Sequence, residues 1–353
     1  SYYFDKNGDG DNLVITLTES PVKTNLKFAL HYDGLYKSAV LANVTNKKTF
    51  FKNDFLSADL ILGDNLRYNF DYYIDNGFQL SYGFKSQLSQ FNKNVPVRVI
   101  TYNDQASNSI NVDYLNLSNQ LYIQSVFAHK FLIGVGAEFE YLDISSETLD
   151  LDSNITRSTY GSAFGYIKYD SYDNKYFPKK GWYFSGNPQF YMFSSERDEI
   201  FSPFFMVSSE AGIAKTVFKN ATIKLQAEAG LTIGEKHMPY FDFLLGGYGY
   251  SNPNNLKYFY GYDFLSISGN SYLETTITFD YEIFRKNHIN LSANYANLED
   301  NLYQSLDWIS LPKYSGYALG YALETVIGPV EVKYSWSPEI SNSYLWFSIG
   351  FIF

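Results

Sequence analysis

The residues of this chain that could do chemistry are mostly carboxylates, and they recur at every second position. From Leu273 onward Glu274, Thr276, Thr278, Asp280 and Glu282 alternate with apolar residues, and Lys224, Glu228, Glu324 and Lys333 sit in similar runs. Paired carboxylates can serve as acid and base. Here both signs of charge share one strand face, which fits ion-pair networks on a wet surface better than hydrolysis. The chain has no Gly-x-Ser-x-Gly elbow, no His-Glu-x-x-His helix and no phosphate loop. His31, His129, His237 and His288 are scattered and read as strand or turn residues rather than ligands. Asp5-Lys6-Asn7-Gly8-Asp9-Gly10 imitates the start of a calcium loop, but position 12, where a bidentate Glu is needed, is Thr16, so a β-turn is the better reading. The absence of cysteine excludes disulfides, thiolate metal sites and a cysteine nucleophile. The sequence therefore implies no enzyme, metal or cofactor in this chain.

The elements that carry these residues are long strands. In the run from Ala221, Ile223, Leu225, Ala227, Ala229, Leu231 and Ile233 oppose Thr222, Lys224, Gln226, Glu228, Gly230 and Thr232. Val330, Val332, Tyr334 and Trp336 oppose Glu331, Lys333, Ser335 and Ser337, and Leu345, Phe347, Ile349, Phe351 and Phe353 share a face at the end. A strand has period two, so each run has one apolar and one polar face. These runs reach about 10–14 residues, the length that crosses a bilayer at a tilt rather than the ~5–6 usual in soluble sheets. Strands are expected near 24–32, 36–46, 54–63, 65–74, 78–91, 107–128, 131–146, 158–170, 181–194, 202–217, 221–234, 270–284, 288–298, 315–326, 329–338 and 344–353. The fold class is thus all-β: a 16-stranded antiparallel transmembrane β-barrel over 24–353, with both ends periplasmic because the count is even. Slightly negative mean hydropathy suits strands whose lumen faces are polar. An aromatic share of 19%, with 34 Tyr and 30 Phe, suits the girdles at both membrane interfaces. A net charge of −10 argues against nucleic acid as a partner.

Four stretches depart from the strand pattern. Residues 1–23 hold two short runs, Tyr2-Tyr3-Phe4 and Leu13–Leu17, around a Gly/Asp turn, with Glu19-Ser20-Pro21 as a hinge. Ser1 opens without a basic and apolar leader, which predicts a mature form or a fragment. The turn from Tyr169 to Trp182, with Asp170, Asp173, Phe177, Pro178 and Gly181, is long for a periplasmic connection and suggests a dedicated role. Residues 235–269 form the longest strand-poor stretch. It could fold into the lumen, form a surface lid or be disordered; its aromatic density argues against disorder. The region 92–117 could hold an extra hairpin outside the membrane.

These features together resemble the BamA-like outer-membrane superfamily. The turn Asp170…Asp173-Asn174…Phe177-Pro178…Gly181 resembles that family's Asp-x-x-Asp-x-x-x-x-Pro-x-x-Gly turn, and 235–269 its sixth outer loop, which folds into the lumen. The family's loop tip reads Val/Ile-Arg-Gly-Phe/Tyr; here it is Phe259-Tyr260-Gly261-Tyr262. The resemblance implies that residues 1–23 are the end of a periplasmic POTRA domain. It implies that Phe351 and Phe353 form a C-terminal assembly signal; the alternation itself makes Glu274, Asp280, Glu282 and Glu324 lumen charges. A family arginine that pairs with a barrel carboxylate is Tyr260 here, which puts the standard loop lock, and with it insertase activity, in doubt.

Within the superfamily, Gly320–Lys333 is most similar to the barrels of Bacteroidota patatin-like phospholipases, in which a lipase precedes POTRA and barrel. The implied role is transporter or anchor of a patatin domain in the outer membrane of a Gram-negative cell, as in type V secretion. The alternative is an outer-membrane assembly factor or a subunit of an envelope complex. Implied partners are outer-membrane lipid and lipopolysaccharide, the BAM machinery during assembly, a client or fused patatin domain, and a homodimer or larger complex. A weakly paired seam between Leu26–Leu30 and Leu345–Phe353 would accept a client strand.

Overall fold

The computed structural model describes residues 2–7, 10–15, 23–96, 109–128, 130–146, 154–195, 201–234, 239–249, 255–305, 307–326 and 328–350. The expected assembly signal Phe351/Phe353, the hinge Glu19-Ser20-Pro21, and residues 97–108 lie outside them.

A hairpin, β1 (Tyr2–Asn7) and β2 (Gly10–Ile15), pairs Tyr2 with Ile15. The barrel starts with four short strands, β3 (Thr24–Asp33), β4 (Lys37–Lys47), β5 (Asp54–Gly63) and β6 (Arg67–Ile74). Six long strands follow: β7 (Ser81–Pro96), β8 (Ser109–Phe127), β9 (Phe131–Ser145), β10 (Asn154–Asp170), β11 (Lys180–Ser194) and β12 (Phe204–Phe218). β13 (Ala221–Ile233) leads into three small strands, β14 (Phe243–Leu245), β15 (Leu256–Lys257) and β16 (Ile267–Gly269), which form their own sheet. β17 (Ser271–Phe284), β18 (Asn287–Glu299), β19 (Tyr314–Thr325), β20 (Gly328–Trp336) and β21 (Ser343–Ile349) complete the wall. Sixteen strands close antiparallel into one barrel with β21 beside β3. Closure lets backbone groups pair where hydrocarbon offers no partners. β7 and β8 pair continuously out to Pro96↔Ser109, so the described parts of 92–117 are the tips of two barrel strands.

Alternation sets the faces as the sequence predicts. On β3, Leu26, Phe28 and Leu30 are exposed while Ala29, His31 and Asp33 are buried. On β17, Ile277, Phe279 and Tyr281 point out while Glu274, Thr278 and Asp280 are buried. A cylinder oily outside and polar inside is ordered for lipid, not for water.

The described lumen is nevertheless not polar throughout. Toward the end of the barrel away from the termini, inward positions become apolar: Phe91, Val95, Ile110, Val112, Leu142, Ile144, Tyr160, Tyr191 and Phe204 are all buried. They all lie on the long strands β7–β12. There they form one cluster with the loop residues Tyr240, Phe241, Leu244, Leu256, Phe264 and Leu265.

Candidate functional site

The β13–β17 connection folds inward and occupies the lumen. Its small sheet pairs β14 with β15 and with β16. Tyr240 Oη lies 2.7 Å from Tyr160 Oη of β10, and the Asn255 amide donates to the carbonyls of Tyr240 and Asp242 at 2.9 and 3.0 Å. Three lysines pin the loop to the wall. Lys93 of β7 meets Asp263 at 2.8 Å. Lys257 of β15 reaches Glu228 of β13 at 3.6 Å. Lys333 of β20 donates to Tyr260 Oη at 3.3 Å and lies 4.1 Å from the centre of the Tyr248 ring. Tyr248 in turn donates to Glu331.

All four tip residues lie at this contact, with Phe259, Tyr260 and Tyr262 buried. Gly261 has φ +81°, and a Cβ there would sit 2.5 Å from the Trp336 backbone. Across from it, a Cβ on Gly316 of β19 would be 2.0 Å from the Tyr260 carbonyl. Two glycines thus let loop and wall touch backbone to backbone. Without the family's arginine, the cation comes from the opposite partner: the wall supplies Lys333 and the loop supplies aromatic faces. The tip is therefore anchored by an arrangement that the sequence reading did not foresee. Lys333 was recognisable as a lumen charge, but its partners lie some seventy residues away along the chain.

The four expected lumen carboxylates divide into two groups. Glu274 stands in a cross-strand row with Glu228 and Glu210 and receives Thr276 Oγ1 at 3.2 Å. The other three gather at the end that carries the termini, around the long turn. Buried His288 lies between Asp280 (Nδ1, 2.9 Å) and Glu324 (Nε2, 3.2 Å), and Glu282 pairs with Lys179 at 2.6 Å. The Phe177 ring stacks on His288 with centroids 4.3 Å apart. His288 thus belongs to a built cluster, which the spacing of the histidines alone gave no means of seeing.

The turn holds its own shape through side chains capping backbone. Asp170 Oδ1 accepts from the Tyr172 N–H at 2.8 Å. Asn174 Oδ1 accepts from Tyr176 and Phe177 at 2.9 and 3.0 Å, and Asp173 Oδ1 from Lys179 and Lys180 at 2.9 and 3.2 Å. Burial pushes the Asp173 carboxyl up, but those backbone donors outweigh it and hold the group below its usual range. Phe177 and Pro178 are buried, and Gly181 takes φ +113° where a Cβ would strike the Ser171 carbonyl.

Among the described residues the seam is the shortest ladder of the barrel. β21 pairs with β3 through Ile349↔Tyr32 alone among the described residues, whereas β3 pairs with β4 over ten residues. The register places Leu345 beyond the Asp33 end of β3, and no described residue of β21 pairs with Leu26–Leu30. On the lumen side, Phe264 packs on Trp346 of β21 at 5.2 Å. A Cβ on Gly34, in the turn after β3, would come within 2.7 Å of the same ring.

This architecture matches known proteins. A family profile described as the OMP85 superfamily matches residues 11–353. BamA from Haemophilus ducreyi lacking POTRA domains 1–3 superposes with a TM-score of 0.69 at 13% identity, covering 99% of this chain and 74% of that one. CdiB from Acinetobacter baumannii gives 0.62 at 12%, covering 99% and 65%. CdiB from Escherichia coli gives 0.63 at 11%, covering 99% and 66%. The chain thus spans about two-thirds of the length of either CdiB. No curated protein sequence matches it.

Proposed function

The chain belongs to the OMP85 superfamily of outer-membrane barrels, and from that premise we propose that it handles a polypeptide at the β3–β21 seam, as transporter or anchor of a patatin-type lipase domain. The observation that carries the seam is its single ladder pair among the described residues, where every other ladder of the wall has at least seven. Among the described residues no strand pairs with β3 along Thr24–Ala29 on this side, and an extended client segment can add to such an edge as a further strand. The lipase assignment rests on the similarity of Gly320–Lys333. In this reading β1 and β2 are the last hairpin of a POTRA domain. The termini and the Asp170–Gly181 turn face the periplasm, the lumen loop enters from outside, and Lys333 with Tyr248 and Tyr260 keeps the pore shut. Outer-membrane lipid and lipopolysaccharide contact the oily wall.

The sparse β3–β21 pairing among the described residues and the likeness to BamA equally favour a second reading, an assembly factor that inserts client barrels. A disulfide across the seam, with Tyr32→Cys and Ile349→Cys, tests what both share: client passage should stop when it forms and resume on reduction, and unchanged passage would sink the proposal. The full-length gene product separates the two readings, since an upstream Gly-x-Ser-x-Gly lipase favours the first and several POTRA modules the second.

A further inference from the structure

The wall has a second fault, opposite the seam. Between β10 and β11 the ladder pairs Phe164 with Gln189 and then Ile167 with Gly186, and it lapses over Gly165, Tyr166, Asn187 and Pro188. Pro188 has no N–H to donate, and proline inside a sheet is ordinarily confined to edges and bulges. A register shift at Gly161/Ser162 loosens the same ladder higher up. The neighbouring ladders do not lapse. β10 pairs with β9 residue by residue from Thr156 to Tyr169, and β11 pairs with β12 through Pro188↔Val207. The lipid-facing surface is also hollow here. A groove of about 720 Å³ runs over Ala163, Gly165 and Pro188, flanked by Leu121, Val135 and Phe190. Missing hydrogen bonds and missing side-chain bulk coincide at one line of a wall that must otherwise satisfy every backbone group.

The position of this line matters more than its weakness. The order around the barrel leaves eight strands, β3 to β10, on one side of it and eight, β11 to β21, on the other. A closed cylinder cannot part at one seam without bending elsewhere. A bend one diameter away moves the seam edges furthest for a given rotation. It also costs least where the ladder already lacks bonds and small side chains leave room to flex.

We propose that the β10–β11 line is the hinge about which the two eight-strand halves turn when the β3–β21 seam parts. The hinge rests on the seam reading above, and the experiment separates the two. The chain has no cysteine, so nitroxides at Lys27→Cys on β3 and Val326→Cys beyond β19 report the distance across the seam in proteoliposomes by pulsed EPR. Closed and open distances are expected in the parent. Pro188→Val, which restores an N–H to the ladder, should cut the open population about tenfold, the scale of one net hydrogen bond. A seam that moves as before in P188V overturns the hinge alone. A single narrow distance in the parent overturns the seam, and the hinge with it. Should P188V not assemble, amide hydrogen exchange on the native chain decides. The amides within the lapse, at Gly165, Tyr166 and Asn187, should exchange about tenfold faster than those of the paired β11–β12 segments, and equal protection overturns the hinge.

Discussion

The barrel has two unlike walls. β3 to β6 are 10, 11, 10 and 8 residues long, whereas β7 to β10 run 16, 19, 15 and 17. The long wall uses its extra length to bring apolar side chains inward and grip the lumen loop. The short wall has no such length. It reaches the same cluster with the turn after β3, whose Leu35 and Tyr36 are buried, and the Arg67 guanidinium lies 3.9 Å from the centre of the Tyr36 ring. Strand length thus separates the wall that packs the loop's apolar body from the wall that borders the seam on the β3 side.

The sharpest way to break this comparison is to lock each wall. The Tyr32→Cys/Ile349→Cys disulfide should abolish client passage in a transport assay. A disulfide across the paired β7–β8 positions Gln87→Cys and Ser118→Cys should leave it intact. Next in size, Phe91→Ala removes a ring that is 3% exposed and should destabilise by about 3 kcal/mol, read as a lower melting temperature in detergent. Phe28→Ala on β3, 70% exposed to lipid, should barely move it. Lys333→Met should weaken the loop anchor by about 1–2 kcal/mol and raise single-channel conductance in planar bilayers; unchanged conductance would mean that the cation does not hold the tip. The smallest effect is expected at the Asp170–Gly181 turn. Because the Asp173 carboxyl is held below its usual value when folded, its contribution is complete above about pH 4 and lost as pH falls through the lower folded value. Protease cleavage of the turn should rise in that window, and Asp173→Asn should remove the pH dependence.

Strand positions were legible because alternation over ten or more residues repeats one signal many times. Thr24–Asp33, Asp54–Gly63 and Ala221–Ile233 fall within a residue of the expected runs. The loop's interior was not legible: β14, β15 and β16 span three, two and three residues, too few for any period to register. The inward parity of β7 did carry a usable sign, changing from Lys85, Gln87 and Ser89 to Phe91 and Val95. Over the same stretch the other face turns polar, at Gln90, Asn92 and Asn94, so alternation continues with its faces exchanged and does not say which face meets a partner. The His288 cluster depended on the register of three strands, which no single segment encodes.

One consequence lies in the shared use of Phe264. The first turn and the last strand barely touch through their backbones, yet both press on this one aromatic ring from the lumen side. The two borders of the seam are therefore stapled together near its upper end, through a residue that belongs to neither. If the seam parts as proposed, this contact would hold the upper end longest, so opening would start at the opposite end and spread upward as a wedge.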